Sequence, residues 1–221
     1  GMIMPNMATM LAFIATDTEI DNNLLQKMLV RSVNNSFNKI TVDGDTSTND
    51  MVVLIANGIS GIRITEDSQD AKLFEQALQA ISIDMAKAVV TDGEGATKMI
   101  TVEVKGGQSV TDVDKIAQTI ANSPLVKTAV YGSDANWGRI ISAAGRSGVE
   151  FDPKKVEIKF NDMTILSPNF GHDFDEEEAT VILSESNIVI SVDLNDGDAK
   201  TTWWTCDFTE KYIEINASYR S

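Results

Sequence analysis

Cysteine and histidine are almost missing from this chain: Cys206 and His172 are the sole residues of their types among 221. A single thiol cannot close an internal disulfide, and a lone histidine without ligand spacing gives no basis for a metal cage. Positive charge is also scarce, with Lys plus Arg at 18 against 33 Asp plus Glu, a formal charge of -15. That balance opposes phosphate backbones and anionic lipid surfaces, so nucleic acid and membrane are not expected partners. No apolar run approaches the roughly 18 residues of a spanning helix. Residues 1–14 lack the basic leading region of a signal peptide, and the expected location is cytoplasmic. With 43% hydrophobic residues the remainder is an ordinary globular composition.

Hydrophobic periodicity then predicts a mixed α/β fold. Residues 9–16 are nearly all apolar and read as a strand buried on both faces, and residues 52–56 as a second one. Asp21 is placed to cap a helix over 21–38 whose apolar positions Leu24, Leu25, Met28, Leu29, Val33 and Phe37 share a face. A longer helix is expected over 68–90, with Phe74, Leu78, Ile81, Met85 and Val89 as its stripe. Residues 99–105 alternate as a half-exposed strand, and Gly106-Gly107-Gln108-Ser109 reads as a linker. The expected domains are therefore 1–106, bearing the nucleophile, and 107–221, an α+β domain.

In the second half, Thr111 and Asp114 suggest a capping box ahead of Val113, Ile116, Ala117 and Ile120, closed by Pro124. A strand over 126–131, a helix entered at Asn136 and Trp137, and a hairpin over 156–166 follow. Residues 188–194 and 201–206 read as a second hairpin across Asn195-Asp196-Gly197-Asp198, and 212–215 as a last strand. The loop from Asp43 to Asp50 has the carboxylates of a calcium loop, but Thr48 and Leu54 stand where glycine and glutamate are required, so no metal is expected. Its many hydroxyls and carboxylates suit a loop that satisfies its own backbone.

Chemistry concentrates at Pro5-Asn6-Met7-Ala8-Thr9-Met10-Leu11, where a threonine follows a small residue at the mouth of an apolar run. A threonine hydroxyl needs a neighbouring base to act as a nucleophile, and cleavage of Ala8-Thr9 creates one in the α-amine of Thr9. Such an amine titrates at about 7.7 to 8.0, near working pH, so no histidine is required. By itself the stretch reads more simply as the start of a strand.

Residues 1–13 resemble the self-cleavage segment of the ornithine acetyltransferase (glutamate N-acetyltransferase) family, the bifunctional arginine-biosynthesis enzymes. Ile40-Thr41-Val42-Asp43-Gly44-Asp45-Thr46-Ser47-Thr48-Asn49-Asp50, Asp134-Ala135-Asn136-Trp137-Gly138-Arg139, and Ile215-Asn216-Ala217 with Tyr219-Arg220 resemble the family's blocks in the same order. The resemblance covers essentially the whole chain. It implies a layered helix–sheet sandwich of the self-cleaving amino-terminal-threonine type and identifies this chain with the β portion, carboxy-terminal to an absent α portion. Acetyl would pass from N2-acetyl-L-ornithine to L-glutamate through an acetyl-threonine on Thr9, in an α2β2 assembly, with no cofactor. The oxyanion donors, and a substrate-binding threonine and lysine, lie on the α portion in the family, so this chain alone is expected to be inactive.

The same resemblance gives substrate-binding roles to Thr9, Glu94, Asn216 and Ser221, where Ser221 replaces the family's usual threonine. From the residues alone, Glu94 is an exposed glutamate after a helix end, Lys98 a strand-edge lysine, Asn216 and Ser221 the end of a last strand and its tail. Trp203, Trp204 and Cys206 read as packing residues and His172 as a surface loop residue. Two other classes stay open: a related self-cleaving amidohydrolase or aminopeptidase, in which water resolves the acyl-threonine, and a non-catalytic remnant that has lost its α half. Whether acetyl-CoA is also a donor stays open, since no phosphate-cradling glycine loop is present.

Overall fold

The computed structural model describes residues 1–6 and 8–218. The chain is mixed α/β and divides into two compact units, residues 1–89 and 90–221.

In the first unit, β1 (Met10–Thr16) runs parallel to β3 (Asp50–Ala56), with Leu11 beside Met51 and Phe13 beside Val53. The short strands β2 (Glu19–Ile20) and β4 (Arg63–Ile64) make a second parallel pair. Helix α1 (Asn22–Asn34) begins as expected at Asp21, whose carboxylate accepts from the amides of Asn23 at 2.9 Å and Leu24 at 3.4 Å. Helix α2 (Gln69–Thr91) supplies Ala71 and Leu78 to a core that includes Ile14, Leu24, Met28 and Leu54. Its buried line passes through Ser82 rather than Ile81, which is exposed; Ser82 meets the buried hydroxyl of Ser32 on α1 at 2.9 Å.

The expectation that residues 9–16 are buried on both faces does not hold. Ala12 and Ile14 are buried, but Leu11 is 66% exposed and Phe13 60%, beside Met51 at 42% and Ile55 at 50%. Strand pairing puts these side chains on one face, because in-register parallel neighbours point the same way. The described chain covers only the other face.

The second unit is built on a five-stranded sheet in the order β7-β6-β8-β5-β9. Its strands are β5 (Met99–Gly107), β6 (Glu157–Phe160), β7 (Met163–Leu166), β8 (Asn187–Asp193) and β9 (Ala199–Cys206). The β6–β7 hairpin forms as expected, turning at Asn161 with φ 49°. The second expected hairpin does not: β5 lies between β8 and β9, parallel to one and antiparallel to the other. The connecting turn crosses the end of β5, where the Asp196 amide donates to the Gly106 carbonyl at 2.7 Å. That crossing explains the glycines. A Cβ on Gly106 would stand 2.3 Å from Asp193 Oδ1, and one on Gly197 2.2 Å from the Gly107 carbonyl oxygen. Gly106 and Gly107 thus end a strand under a close backbone approach and are not a linker.

The unit's helices are α3 (Val110–Ala121), α4 (Pro124–Tyr131), α5 (Trp137–Gly145), α6 (Glu176–Leu183) and α7 (Glu210–Ser218). Ser109, not Thr111, caps α3, accepting from the Asp112 amide at 3.1 Å. Asp114 instead accepts from Thr201 Oγ1 at 2.5 Å and Trp203 Nε1 at 3.1 Å on β9. The expected strand over 126–131 is the helix α4: Ser123 is its cap, Pro124 opens it, and Val126 and Val130, one turn apart, enter the core. The expected last strand over 212–215 is part of α7. A short apolar run does not by itself separate helix from strand.

Candidate active site

Thr9 sits at the entry to β1. Its side chain is exposed, whereas Ala8 ahead of it is buried. The Thr9 amide donates to the carbonyl of Met2 at 2.9 Å, and the Met10 amide donates to the carbonyl of Asn49 at 3.3 Å. The chain therefore turns back on itself before the strand starts, and the hydroxyl-bearing residue is fixed on both sides. A cleft of about 530 Å³ opens here, lined by Thr9, Met10, Leu11, Asn49 and Asp50.

The loop carrying Asn49 and Asp50 satisfies its own backbone as its composition suggests. Ser47 Oγ accepts from the Asn49 amide at 3.3 Å, and Asp43 Oδ1 from the Asp45 amide at 3.3 Å. Asp43 does more than sequence reasoning gave it, since its carboxylate also accepts from the amides of Met2 at 2.7 Å and Ile3 at 3.2 Å. No group of three or more metal-ligating side chains occurs among the described residues.

In the second unit, Glu94 and Asn216 come together although 122 residues apart: Asn216 Nδ2 donates to Glu94 Oε2 at 2.8 Å and to the Tyr212 carbonyl at 3.0 Å. The turn holding Glu94 is fastened from below by Asp207, a buried residue that sequence reasoning missed. Its Oδ1 accepts from the amides of Thr97 at 2.8 Å and Lys98 at 2.9 Å, and its Oδ2 from the Thr97 hydroxyl. Gly95, at φ 72°, lies so close to the start of α7 that a Cβ would meet the Tyr212 amide nitrogen at 2.7 Å. The only advance signal was the glycine pair flanking Glu94. Thr9 belongs to the first unit and this pair to the second. Ser221, with Tyr219 and Arg220, lies outside the described residues.

Lys98 is not a simple strand-edge lysine. Its ammonium donates to the carbonyls of Val130 at 2.7 Å and Tyr131 at 3.3 Å and to Ser133 Oγ at 3.0 Å, closing the end of α4. Burial pushes its pKa below the ordinary lysine range, with Asp207 pulling the other way. Lys127 is buried, donating to Thr205 Oγ1 at 2.7 Å and to the Cys206 carbonyl. Burial raises the Cys206 thiol pKa against the opposing charge of Lys127, and the residue is buried along with Trp203 and Trp204 of the same strand. His172 is exposed, its ring 5.5 Å from that of Trp137.

Residues 1–221 match the ArgJ family in full. An arginine biosynthesis bifunctional protein ArgJ of Chlorobium chlorochromatii is 52% identical over the whole chain, which spans 51% of that relative; the one from Bacillus licheniformis is 49% identical, with 55% of its length spanned. The chain thus spans about half the length of these curated relatives. A crystal structure of the arginine biosynthesis bifunctional protein argJ from Bacillus halodurans superposes with a TM-score of 0.92 at 46% identity, covering 96% of this chain and all of the other.

Proposed function

The chain belongs to the ArgJ family, and from that premise we propose that it is the β portion of a cytoplasmic glutamate N-acetyltransferase of arginine biosynthesis, with Thr9 as the nucleophile. The carrying observation is Thr9 itself: an exposed hydroxyl at the head of a strand, opening onto a cleft, with its nitrogen held from behind by the Met2 carbonyl. Once Ala8-Thr9 is cut, that nitrogen is an amine beside its own hydroxyl. It accepts the hydroxyl proton as Thr9 Oγ attacks the acetyl carbonyl of N2-acetylornithine, and passes the proton to departing ornithine. Glutamate then attacks the acetyl-threonine ester through its amino group and leaves acetylated.

Glu94 is assigned to the ammonium of the amino-acid substrate, since a charge-assisted hydrogen bond fixes orientation as well as adding affinity. Asn216 orients that carboxylate, and Ser221 contributes a hydroxyl to the same substrate. The remaining half of the relatives' length is assigned to the absent α portion, which supplies the oxyanion donors and covers the apolar face of Leu11, Phe13, Met51 and Ile55. Two α/β pairs form the α2β2 assembly.

Acetyl transfer from N2-acetylornithine to labelled glutamate, measured with the β chain co-produced with its α portion, tests the reading. Transfer and an acetyl adduct on Thr9 are expected in the assembled enzyme, and neither with the β chain alone or with Thr9→Ala. Loss of one oxyanion donor typically costs about 100- to 1000-fold, so a β chain lacking all of them has no measurable rate. Release of acetate in place of acetylglutamate would replace transfer with hydrolysis. Full activity of Thr9→Ala would remove the nucleophile assignment.

A further inference from the structure

Residues 1–6 do not trail away from the candidate nucleophile; they are fastened beside it. Met2 is the hinge of that arrangement. Its amide donates to Asp43 Oδ2 at 2.7 Å, and its carbonyl accepts from the Thr9 amide at 2.9 Å. The next amide, Ile3, donates to the other oxygen of the same carboxylate at 3.2 Å. The Ile3 carbonyl accepts from Thr41 Oγ1 at 3.1 Å and the Val42 amide at 3.0 Å, and Ile3 itself is buried. Further on, the Asn6 amide donates to Asn38 Oδ1 at 3.2 Å. Met2 at φ 55° and Asn6 at φ 67° hold left-handed backbone that non-glycine residues seldom adopt. Such conformations persist where the surroundings over-determine them.

Resting on the reading of Thr9 as a self-cleaving nucleophile, we propose that Asp43 is a positioning residue. By clamping residues 1–3 it aims the Met2 carbonyl at the Thr9 nitrogen, before cleavage and after it. Before cleavage, that hydrogen bond fixes the plane of the Ala8-Thr9 peptide. In the cut itself, the bond from Thr9 Oγ to the Ala8 carbonyl carbon forms, the bond from that carbon to the Thr9 nitrogen breaks, and the hydroxyl proton ends on the nitrogen. Water then splits the ester into the Ala8 carboxylate and the free Thr9 hydroxyl. None of these contacts runs through the severed bond. The segment stays in place as the end of a separate chain, and the Met2 carbonyl occupies one N–H of the new amine, leaving its lone pair for the Thr9 hydroxyl. A charged acceptor suits this task because hydrogen bonds to an ionised group are roughly twice as strong as neutral ones.

Two measurements on the full enzyme, α portion included, test the clamp. The first is the rate of Ala8-Thr9 cleavage in newly synthesised precursor, followed by intact mass for wild type, Asp43→Ala, Asp43→Asn and Thr9→Ala. Asp43→Ala should cleave on the order of 100-fold more slowly, the cost of a small misplacement of reacting groups. Asp43→Asn, which keeps the volume but offers one acceptor to two amides, should fall between, and Thr9→Ala should stay uncut. The second uses two-chain enzyme in which the α portion ends either at Ala8 or ahead of Gly1. Asp43→Ala should lower kcat when residues 1–8 are present and lower it no further when they are absent. A purely structural Asp43 would lower both alike, which would overturn the proposal. Cleavage of Asp43→Ala at the wild-type rate, with Thr9→Ala uncut, would overturn the clamp and leave the Thr9 reading standing. Cleavage of Thr9→Ala would remove that reading, and the clamp with it.

Discussion

The two units differ in what they place on the face of the sheet turned away from the core. In the second, β5 sends Ile100, Val102 and Val104 into the core, while Thr101, Glu103 and Lys105 take the other face, which is mostly polar but also holds the buried Trp204. In the first, the face left open on β1 and β3 carries Leu11, Phe13, Met51 and Ile55. A polar face is written for water; an apolar face on a parallel pair is written for cover, because parallel strands are normally buried on both sides. The second unit therefore reads as self-sufficient in its sheet, and the first as one layer short.

The largest expected effect lies where the sheet is complete. Phe160 is buried in the core of the second unit, and Phe160→Ala should destabilise the chain by about 3 to 5 kcal/mol, seen as a lower midpoint in denaturant unfolding. Leu11→Ala should shift the isolated chain by less than about 0.5 kcal/mol, as exposed substitutions usually do. Equal losses at the two positions would erase the contrast.

Next comes the uncovered face. Phe13→Asp should leave the unfolding of the isolated chain nearly unchanged, yet weaken its association with the proposed α portion by about 2 kcal/mol or more, the cost of a buried charge in an aromatic anchor's place. Titration calorimetry, or co-purification of tagged halves, reads it. Undiminished association of Phe13→Asp would mean that the α portion covers some other surface.

That contrast was only half legible in the sequence. Periodicity located β1, α1, α2, β5, α3 and the β6–β7 hairpin, because each carries its own signal within a few turns. A continuous apolar run such as residues 9–16 reports that both faces want burial, without saying whether this chain supplies both layers. Pairings between distant segments were out of reach: β5 enters between β8 and β9, which lie close together in sequence, and nothing local to Asn195 to Asp198 announces it. The site divides the same way. Thr9 was singled out through its chemistry and a family resemblance, Glu94 and Asn216 through the resemblance alone. The resemblance gave the Asp43 loop only a general supporting place near the nucleophile; the contacts of Asp43 itself were out of reach, since its partners Met2 and Ile3 stand 41 and 40 residues away. Asp207 was missed for a similar reason, its amide partners lying more than a hundred residues upstream.

The smallest effect concerns how the first unit holds its two helices without a covering layer. Arg31 on α1 and Glu75 on α2 form a fork-like pair, Arg31 Nε meeting Glu75 Oε1 and Nη2 meeting Oε2 at 3.1 Å. The hydrogen bond from Arg31 holds the Glu75 carboxyl below its ordinary pKa, against a smaller opposing cost of desolvation. A carboxyl whose folded pKa is depressed contributes stability above its unfolded value, near 4.5, and loses it as pH falls through the folded value. With the side chains 50% and 34% exposed, solvent screening limits the contribution to about 0.5 kcal/mol. Glu75→Gln should therefore be less stable than wild type by about that amount at neutral pH. The two unfolding curves should converge as pH falls through the depressed folded value of the Glu75 carboxyl, below which wild type is also neutral. Added salt should shrink the neutral-pH difference. A deficit that persists undiminished in acid would mean that Glu75 acts by packing on α1, and that the helix pair does not depend on this charge.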